Sequence, residues 1–545
     1  MRDKLLEWLR RYLPCEIAGT VGELGGAAVA YVLTGSTVAA AVTATVGASV
    51  GYYAAAYLTA MRWAYRARRD RTRVMRLVVA NLIALRSVAI EFGPAELIDS
   101  LLVRPAAFCI GPQIFGNVVW AGSSESWCQT WLSTYSPSSA TSVSRGCWSV
   151  GRRPRRSTVN PSRRSQLREV LRAQAHDQRW AALIERHGTP LLVLDPDRVA
   201  AQYRLLSHHL RGFRLHYAVK ALPHPAVLAT IAACGGGFDV ATNGEVDLVR
   251  TLGIPMDRCI HTHPIKKPAD IDHAYRAGIR RFIVENPVEA QKFNGRPADI
   301  EVLVRLKFRN PSAKSDLSTK FGADPADAEL LVKHVIATGV QFAGFSFHVG
   351  SQGSSAEPYR AALRGTLDLV THIRETLGVR SRVIDIGGGF PVTYREPMPA
   401  ITTIADIVDD TLGDHRDEFT LLAEPGRYLA ADCMTLLASV VGTGVRDGRL
   451  WHYLDDGLYG SYSNVMTEDV HPPILALREL TDDLAPDEPV TLAGPTCDCA
   501  DVIAHDYPMS PLDVGDVVVT PLMGAYTTVT SSRFNGIPAT PIVEV

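Results

Sequence analysis

One lysine ends a segment of this chain that otherwise has the character of a buried strand. The segment is FRLHYAVKAL, residues 213–222, and the lysine is Lys220. An ammonium group that is buried without a partner is costly, so this residue needs either a counter-charge or a chemical task. A lysine amine can act as a nucleophile and form a Schiff base with a carbonyl compound, which makes Lys220 a candidate catalytic residue.

Other polar residues and glycines lie at the ends of later apolar segments. Asp239 lies in FDVAT and His348 in FSFHV, while Gly387, Gly388 and Gly389 follow VIDIG and Glu424, Pro425, Gly426 and Arg427 follow TLLAE. Each signal is weak alone, because a run of glycines is most often a turn and a lone histidine is more often structural than catalytic. Their joint order along the chain makes them candidates for one site.

The elements that would position these residues repeat as a strand–helix pattern with eight strands. Eight short apolar segments between Leu215 and Glu424 alternate with helical stretches, which predicts an α/β fold with a (β/α)8 TIM barrel over residues 196–432. Residues 166–195 and 433–545 are predicted to form a β-rich domain, because later segments such as GDVVVTPL are typical of strands. Barrel active sites lie at the carboxyl ends of the strands, so the candidates should converge on one mouth.

The neighbours of Lys220 at this mouth indicate a cofactor. Three consecutive glycines allow close approach of the backbone and offer N–H groups to a phosphate, and Arg427 can add a charge-assisted contact. The Glu424 carboxylate can hold a pyridine nitrogen protonated, which makes the ring an electron sink, and His348 can stack on that ring. Together these features predict pyridoxal 5′-phosphate bound to Lys220.

The first part of the chain differs in composition from the rest. Residues 1–115 are predicted to form a hydrophobic helical region, with an apolar stretch at Ile17–Thr34 and an uncharged run at Ser36–Met61 that is long enough to span a bilayer. Arginine-rich flanks on both outer ends predict a membrane hairpin over residues 17–61, which would tether a cytoplasmic catalytic domain to the inner face of the cytoplasmic membrane. A buried helical pair in a soluble domain is the alternative, and Glu23 favours it.

Composition limits the classes of binding partner and the redox compartment that fit this chain. The chain has 545 residues, with 56 Lys and Arg against 57 Asp and Glu, so no net field favours nucleic acid as a partner. Nine cysteines lie along it without paired or metal-type spacing, which fits a reduced, intracellular setting and predicts no metal site. Residues 116–165 are rich in Ser, Trp and Arg without periodicity, which predicts a disordered linker.

Seven motifs carry a resemblance to a known family. In chain order they are YAVKAL, FDVATNGE, HVGSQ, IDIGGGFP, EPGRY, GPTCDCAD and GAYTTVTSSRFNG. As a set, over about residues 188–545, they resemble the fold-type III PLP-dependent ornithine/diaminopimelate/arginine decarboxylases, and ornithine decarboxylases most closely. The resemblance implies a head-to-tail homodimer with active sites at its interface, and loss of CO₂ from a basic L-amino acid to give a diamine such as putrescine.

The resemblance also implies roles for individual residues. Lys220 would carry the cofactor, Asp239 would lie near the Schiff base, and His348 would stack on the ring. Glu424 would bind the ring nitrogen. The residues implied to hold the phosphate are Ser351, Gly389, Arg427 and Tyr526.

Three further residues would act at the substrate end. Cys497 of GPTCD would come from the partner subunit and return a proton to the substrate α-carbon, while Asp498 beside it would bind the distal amine. A second substrate-binding position, occupied by Asp in ornithine decarboxylases, falls on Glu468 in YGSYSNVMTEDVHP. Because a carboxylate is kept, ornithine is the first expected substrate and lysine the second; the extra methylene also leaves a smaller diamino acid open.

Other interpretations remain open at this level. Another decarboxylase of the same family is one, although diaminopimelate decarboxylases tend to carry Glu where this chain has Asp498. An amino-acid racemase on the same barrel is disfavoured by GPTCD. A non-catalytic regulator like the antizyme inhibitors would not need the complete cofactor set from Lys220 to Tyr526, and a membrane scaffold would need none of these motifs.

Overall fold

Two units divide the chain, residues 1–153 and residues 154–545. The computed structural model describes residues 2–36, 168–173, 180–480 and 488–545, together with scattered residues between 39 and 81. In the first unit, helix α1 spans Arg2–Thr34.

Helix α1 contains a stretch, Ile17–Thr34, that is long and apolar enough to cross a membrane, and it is the one such helix among the described residues. Apolar side chains along it, such as Val21 and Val32, are exposed. Core helices of soluble proteins and signal sequences pass the same test, so the helix alone does not establish a membrane span. About half of the predicted second arm, Ser36–Met61, lies outside the described residues, and the predicted linker, 116–165, lies wholly outside them. The hairpin therefore stays a prediction.

The second unit is built around a closed barrel of eight parallel strands. Helix α2 (Trp180–His187) and strand β1 (Leu191–Leu194) precede it. The barrel strands are β2 (Phe213–Ala218), β3 (Gly237–Val240), β4 (Cys259–His261), β5 (Arg281–Val284), β6 (Glu301–Leu306), β8 (Gln341–Phe347), β10 (Val383–Asp385) and β11 (Thr420–Ala423). The predicted (β/α)8 barrel is confirmed.

Helices alternate with these strands, and local sequence signals start several of them. They are α3 (Pro196–His209), α4 (Pro225–Ala233), α5 (Asn243–Thr251), α6 (Pro268–Ala277), α7 (Pro287–Gln291), α8 (Ala328–Ala337), α9 (Glu357–Leu377) and α10 (Ile401–Leu412). The side chains of Asp195, Thr242 and Asn286 cap α3, α5 and α7 by accepting hydrogen bonds from N–H groups of the first turn. Proline in the first turn of α3, α4, α6 and α7 fixes a φ that suits a helix start.

The barrel interior is filled by apolar side chains. One buried cluster takes a residue from each of five barrel strands, namely Ile283, Leu303, Ala343, Val383 and Leu422. Such a layer closes the barrel as a packed core, so polar chemistry is confined to the strand ends.

A second sheet contains one strand that precedes the barrel in the sequence and strands that follow it. Its path is β14-β17-β12-β13-β15-β16, and β1 joins it by pairing with β12 antiparallel and with β18 parallel. The later strands are β12 (Met434–Arg446), β13 (Arg449–Leu454), β14 (Leu475–Ala476), β15 (Glu488–Ala493), β16 (Val502–Met509), β17 (Val517–Thr520) and β18 (Ile542–Glu544). The chain therefore enters this sheet, forms the barrel, and returns to the sheet.

The residues before β1 also pack on the second sheet. Leu171 and Trp180 are fully buried in a cluster that includes Leu191 of β1. Arg168 forms an ion pair at 3.0 Å with Glu479, whose side chain is fully buried. The start of the second unit is therefore tied to this sheet by both apolar and charged contacts.

The turn that carries Lys220 differs from the prediction. Strand β2 ends at Ala218, so Lys220 lies in a 3-10 turn, Val219–Ala221, and not at the strand end itself. Backbone hydrogen bonds hold this turn, because the Ala218 N–H donates to the Pro425 carbonyl at 3.1 Å and the Tyr526 N–H donates to the last carbonyl of the turn at 2.9 Å. The lysine is thus anchored from both the barrel and the later part of the chain.

Further small elements around the mouth are not predicted from the sequence. Strand β7 (Ala313–Ser315), after β6, pairs antiparallel with β9 (Ser351–Gly353), after β8, so that Ser351 lies opposite Ser315. We call this two-stranded sheet the ribbon. Two short helices, α11 (Arg427–Ala430) and α12 (Ser463–Glu468), begin and end, respectively, with a predicted site residue.

Candidate active site

The Lys220 ammonium group is paired with a buried carboxylate at the barrel mouth. Its Nζ donates to Asp239 Oδ2 at 2.7 Å, and the Thr262 hydroxyl donates to the other oxygen of the same carboxylate. The Asp239 side chain is fully buried, whereas 46% of the Lys220 side chain is exposed. The amine is therefore held in place and still reachable, as a nucleophile must be.

Opposing effects act on the charge of this lysine. Burial lowers the pKa of Lys220, but the nearby charges, chiefly that of Asp239 with a contribution from Glu424, outweigh burial and raise the pKa above its usual value. The group is an ammonium ion at neutral pH. It can react with a carbonyl only after releasing a proton, and the Asp239 carboxylate is the acceptor within hydrogen-bond distance.

The glycines after β10 pass very close to neighbouring backbone. A Cβ on Gly387 would overlap the Phe347 carbonyl oxygen, and a Cβ on Gly389 would overlap the Gly350 carbonyl oxygen. Both glycines have left-handed φ values, +65° and +96°, which other residues rarely adopt. Within the described part of the chain, the N–H groups of Gly388 and Gly389 make no hydrogen bond. This loop has the shape and the free donors of a phosphate cradle.

Two buried carboxyl groups lie side by side, Asp385 at the end of β10 and Glu424 directly after β11. Asp385 Oδ1 accepts a hydrogen bond from the Gly387 N–H at 2.9 Å, and the Glu424 N–H donates to the Gly387 carbonyl at 2.7 Å, so one glycine fixes both residues. Burial raises the pKa of both carboxyls, and the Asp385 charge raises that of Glu424 further. Asp385 Oδ2 and Glu424 Oε1 are buried and receive no hydrogen bond from the described residues. The pair must therefore hold a proton or face a cation.

Arg427 begins α11 with its guanidinium group almost fully buried. Its Nη1 donates to the Tyr394 hydroxyl at 3.1 Å, and its Cζ lies 4.9 Å from the centre of the Tyr526 ring. Its Nη2 donates to the carboxylate of Glu468, and its buried Nε has no partner among the described residues. Glu468, which the family resemblance predicts to bind the distal amine of the substrate, therefore contacts the residue predicted to bind phosphate.

His348 follows β8 as a neutral imidazole. Its Nδ1 accepts a hydrogen bond from the Gly350 N–H at 3.0 Å, which leaves the ring hydrogen on Nε2. Burial, together with the charges of Arg305 and Lys220, lowers its pKa well below the usual value. A Cβ on Gly388 would lie 3.2 Å from Nε2, so the ring stands beside the glycine loop. A neutral, flat ring at this place is suited to stacking on a planar group.

The remaining cradle residues lie around the same turn. A Cβ on Gly426 would lie 3.0 Å from the Tyr526 hydroxyl, so glycine allows that ring to approach the backbone before α11. Pro425 contributes the carbonyl that fixes the Lys220 turn. Ser351 lies on the ribbon next to Gly350.

Cys497 and Asp498 have hydrogen-bond partners outside this group. Asn535 Nδ2 donates to Cys497 Sγ at 3.3 Å, and the Tyr459 hydroxyl donates to Asp498. Cys497 is exposed. Among the described residues, no hydrogen bond or ion pair joins either residue to the cluster around Lys220. Within one chain, the described contacts therefore do not join these two residues to the site around Lys220.

Three residues of the site are missed by the sequence analysis, namely Thr262, Asp385 and Tyr394. Asp385 carries a usable signal, because it is an acid inside the apolar strand of IDIGGGFP, two residues before the glycines. Thr262 and Tyr394 carry none, because each matters only through a hydrogen bond across the barrel mouth, to Asp239 and to Arg427.

Comparisons with known proteins agree with this arrangement. The family model for the pyridoxal binding domain of pyridoxal-dependent decarboxylases matches residues 196–431. Over 362 residues the chain is 33% identical to lysine/ornithine decarboxylase of Selenomonas ruminantium, and the match covers 66% of this chain and 91% of that protein.

Solved structures of decarboxylases superpose on the chain. The crystal structure of lysine/ornithine decarboxylase from Vibrio vulnificus, complexed with cadaverine, gives a TM-score of 0.63 at 38% identity and covers 68% of this chain and 98% of that one. Arginine decarboxylase of Paramecium bursaria Chlorella virus, bound to agmatine, gives a TM-score of 0.63 at 27% identity and covers 68% and 100%. Both relatives are matched over nearly their whole length.

The carboxyl pair predicts a pH dependence of stability. A carboxyl whose pKa is raised on folding binds more protons in the folded than in the unfolded state, so stability falls as pH rises through its folded pKa. We expect Asp385→Asn to remove roughly 1–3 kcal/mol of the stability that the cofactor-free protein loses between pH 5 and pH 7.5. Thermal or denaturant unfolding at both pH values measures this difference.

The matched control is Asp324→Asn, because Asp324 is an exposed carboxylate with a lowered pKa that stays ionised across this window. Equal pH dependence in the wild type and in Asp385→Asn would contradict the shared-proton account of the pair.

Proposed function

Because this chain belongs to the family of pyridoxal-dependent decarboxylases, we propose that it removes the α-carboxylate of a basic L-amino acid, with ornithine as the first candidate and lysine as the second. The products would be CO₂ and a diamine such as putrescine. The observation that carries the proposal is the Lys220–Asp239 pair, which shares one barrel mouth with the Glu424–Asp385 pair. An amine nucleophile and a carboxylate able to hold a ring nitrogen are the two groups that this cofactor requires.

The residues present fit pyridoxal 5′-phosphate. When bound, this cofactor supplies an electron-withdrawing ring that accepts the electron pair left behind by the departing carboxylate. Lys220 would hold its carbonyl carbon, and Glu424 Oε1, buried without a donor among the described residues, would accept from the ring nitrogen. The open N–H groups of Gly388 and Gly389, with Arg427, would hold its phosphate.

The phosphate site would draw on elements from separate parts of the chain. Ser351 comes from the ribbon, Gly389 from the loop after β10, Arg427 from α11, and Tyr526 from the segment after β17. Their cationic and N–H groups match the charge of a phosphate. His348, held neutral beside Gly388, would cover one face of the ring.

Side chains of this chain would hold or transfer the proton of the Lys220 amine and the proton of the ring nitrogen. Asp239 would take or hold the proton of the Lys220 amine, and Thr262 would stabilise that carboxylate by its hydrogen bond. Asp385 would keep a negative charge beside Glu424, which favours a protonated ring nitrogen. Hydrogen bonds within the chain hold Asp239 and Asp385 in place, which is the preorganisation that favours catalysis.

The distal end of the substrate would be recognised by carboxylates. Glu468 ends α12 and contacts Arg427, so it lies at the edge of the mouth, and a substrate ammonium group would be a natural partner for its carboxylate. Asp498 would supply a second carboxylate from the other subunit of a homodimer. The relatives from Selenomonas ruminantium and Vibrio vulnificus are named lysine/ornithine decarboxylases, which supports a diamino acid as the substrate.

Cys497 would return the proton to the substrate carbon after CO₂ has left. Its exposure supports a role at the mouth of a second copy, since an exposed thiol can reach another chain. A homodimer would then build each active site from two chains. Cys499, two residues along and also exposed, is outside the family motif's functional positions and serves as an internal control.

Substrate choice is tested by CO₂ release from ornithine, lysine, arginine and diaminopimelate. We expect ornithine to give the highest kcat/KM and lysine the next. Glu468→Gln should raise KM for both by about tenfold or more, because it removes a charge-assisted partner of the distal ammonium. Glu418→Gln, an exposed carboxylate paired with His415, should leave KM unchanged.

Release of CO₂ from none of the four substrates would contradict the proposal and favour a non-catalytic regulator. A preference for diaminopimelate would assign the alternative substrate.

The shared site is tested by mixing two inactive variants, Lys220→Ala and Cys497→Ala. Random exchange of subunits gives about half heterodimers, each with one intact site of two, so the mixture should regain about a quarter of wild-type activity. Cys499→Ala should be fully active on its own. A mixture that stays inactive, although both variants are folded and exchange subunits, would show that Cys497 does not act across an interface.

A further inference from the structure

Three cations from three loops of the barrel mouth hold the segment that carries Glu468. Arg427, at the start of α11, contacts the Glu468 carboxylate. Lys314 Nζ donates to the backbone carbonyl of Asp469 at 2.6 Å. Arg395 donates through Nε and Nη2 to the Pro472 carbonyl at 3.2 and 3.0 Å. The segment after Tyr462 is therefore fixed to the barrel at three successive points.

Lys314 is the central residue of β7 and is well anchored. Ribbon pairing fixes its two neighbours, since Ala313 lies opposite Gly353 and Ser315 opposite Ser351. Its ammonium group lies 3.7 Å from the Asp469 carboxylate and 3.8 Å from that of Glu396, and its side chain is 22% exposed. Both carboxylates are largely exposed, so these ion pairs add little. The hydrogen bond to the Asp469 carbonyl is the contact that fixes Lys314 to the segment.

The carbonyl that Lys314 contacts is at the end of α12. Asp469 follows the last residue of the helix as its C-cap, in the left-handed conformation with φ +55° and ψ +37°, and its N–H donates to the Asn464 carbonyl. The last carbonyls of a helix lack partners within the helix, and a lysine ammonium there is favourable. Because Glu468 is the residue directly before this carbonyl, the position of Lys314 limits where the Glu468 side chain can start.

The Glu468 carboxylate has two competing tasks. It contacts Arg427, and by the proposed function it also receives the distal ammonium of the substrate. Glutamate has a longer and more flexible side chain than aspartate, so its reach depends on how firmly the helix end is held. The hydrogen bonds from Lys314 and Arg395 to backbone carbonyls of the same segment hold that helix end in place.

We propose that Lys314 is a positioning residue for substrate specificity, which fixes the end of α12 so that Glu468 meets the distal ammonium of a diamino acid of one length. The inference rests on the proposed function of Glu468. Lys314 itself touches neither cofactor nor reacting atoms, so it should act on KM and on the choice between ornithine and lysine, and not on the chemical step.

The test compares Lys314→Met, which keeps length and removes the charge, with Lys314→Arg, which keeps the charge. Lys333→Met is the matched control, because Lys333 forms an exposed pair with Glu329 on α8. In Lys314→Met we expect KM for the preferred substrate to rise about tenfold, kcat to change less than about twofold, and the ratio of kcat/KM for ornithine over lysine to shift at least about threefold. Lys314→Arg should restore most of the loss, and Lys333→Met should match the wild type.

A double-variant measurement separates this proposal from its premise. If Glu468→Gln raises KM and Lys314→Met adds less than about twofold to it, the two residues act through one contact, as proposed. If Glu468→Gln raises KM but Lys314→Met alone does not, the positioning role is wrong and the proposed function stands. If Glu468→Gln leaves KM unchanged, recognition of the distal ammonium by Glu468 fails, and the inference fails with it.

A purely structural role gives a different pattern. Lys314→Met would then lower the melting temperature and kcat together, at an unchanged ratio between the two substrates. Absorbance of the bound cofactor near 420 nm, measured in the same samples, should be unchanged if Lys314 acts only at the substrate end. A loss of that absorbance in Lys314→Met would overturn the proposal.

Discussion

The hydrogen bond between the Lys220 ammonium and the buried Asp239 carboxylate is the interaction on which the rest of the site depends. It places a charged amine at the end of an apolar barrel, where an unpaired ammonium would be costly. Two further carboxyls, Asp385 and Glu424, lie on the same mouth with raised pKa values. A protonated pyridine ring would give these two buried carboxyls a cationic partner.

The path of the chain explains why so many separate segments reach this one place. Strand β1 belongs to the second sheet, the barrel follows, and the chain then returns to the sheet. The Tyr526 N–H donates to the Ala221 carbonyl, beside Lys220, and Gly426 lets the Tyr526 ring come close to the backbone. Residues more than 300 positions apart are therefore joined by direct contacts, and damage to the second sheet should affect the barrel site.

Much of the fold and part of the site could be predicted from the sequence. Eight apolar segments with polar residues after them predict a barrel with one reactive end, and the motif order predicts the cofactor. The sequence predicts that strand β2 ends at Lys220, two residues beyond its observed end at Ala218. The turn begins earlier because hydrogen bonds with Pro425 and Tyr526, which are distant in the sequence, fix it. Two features depend on tertiary packing, namely the contact of Glu468 with Arg427 and the ribbon that carries Lys314. No local sequence pattern predicts either of them.

The central claim, that Lys220 is the amine that bonds to the cofactor, is tested most directly by trapping that bond. The protein would be reduced with borohydride in the presence of pyridoxal 5′-phosphate, digested, and examined by mass spectrometry for the modified peptide. The account predicts a phosphopyridoxyl group on Lys220. The natural competitor is Lys266, a buried lysine whose pKa burial lowers to about 7; modification of Lys266, or of any lysine other than Lys220, would contradict the account.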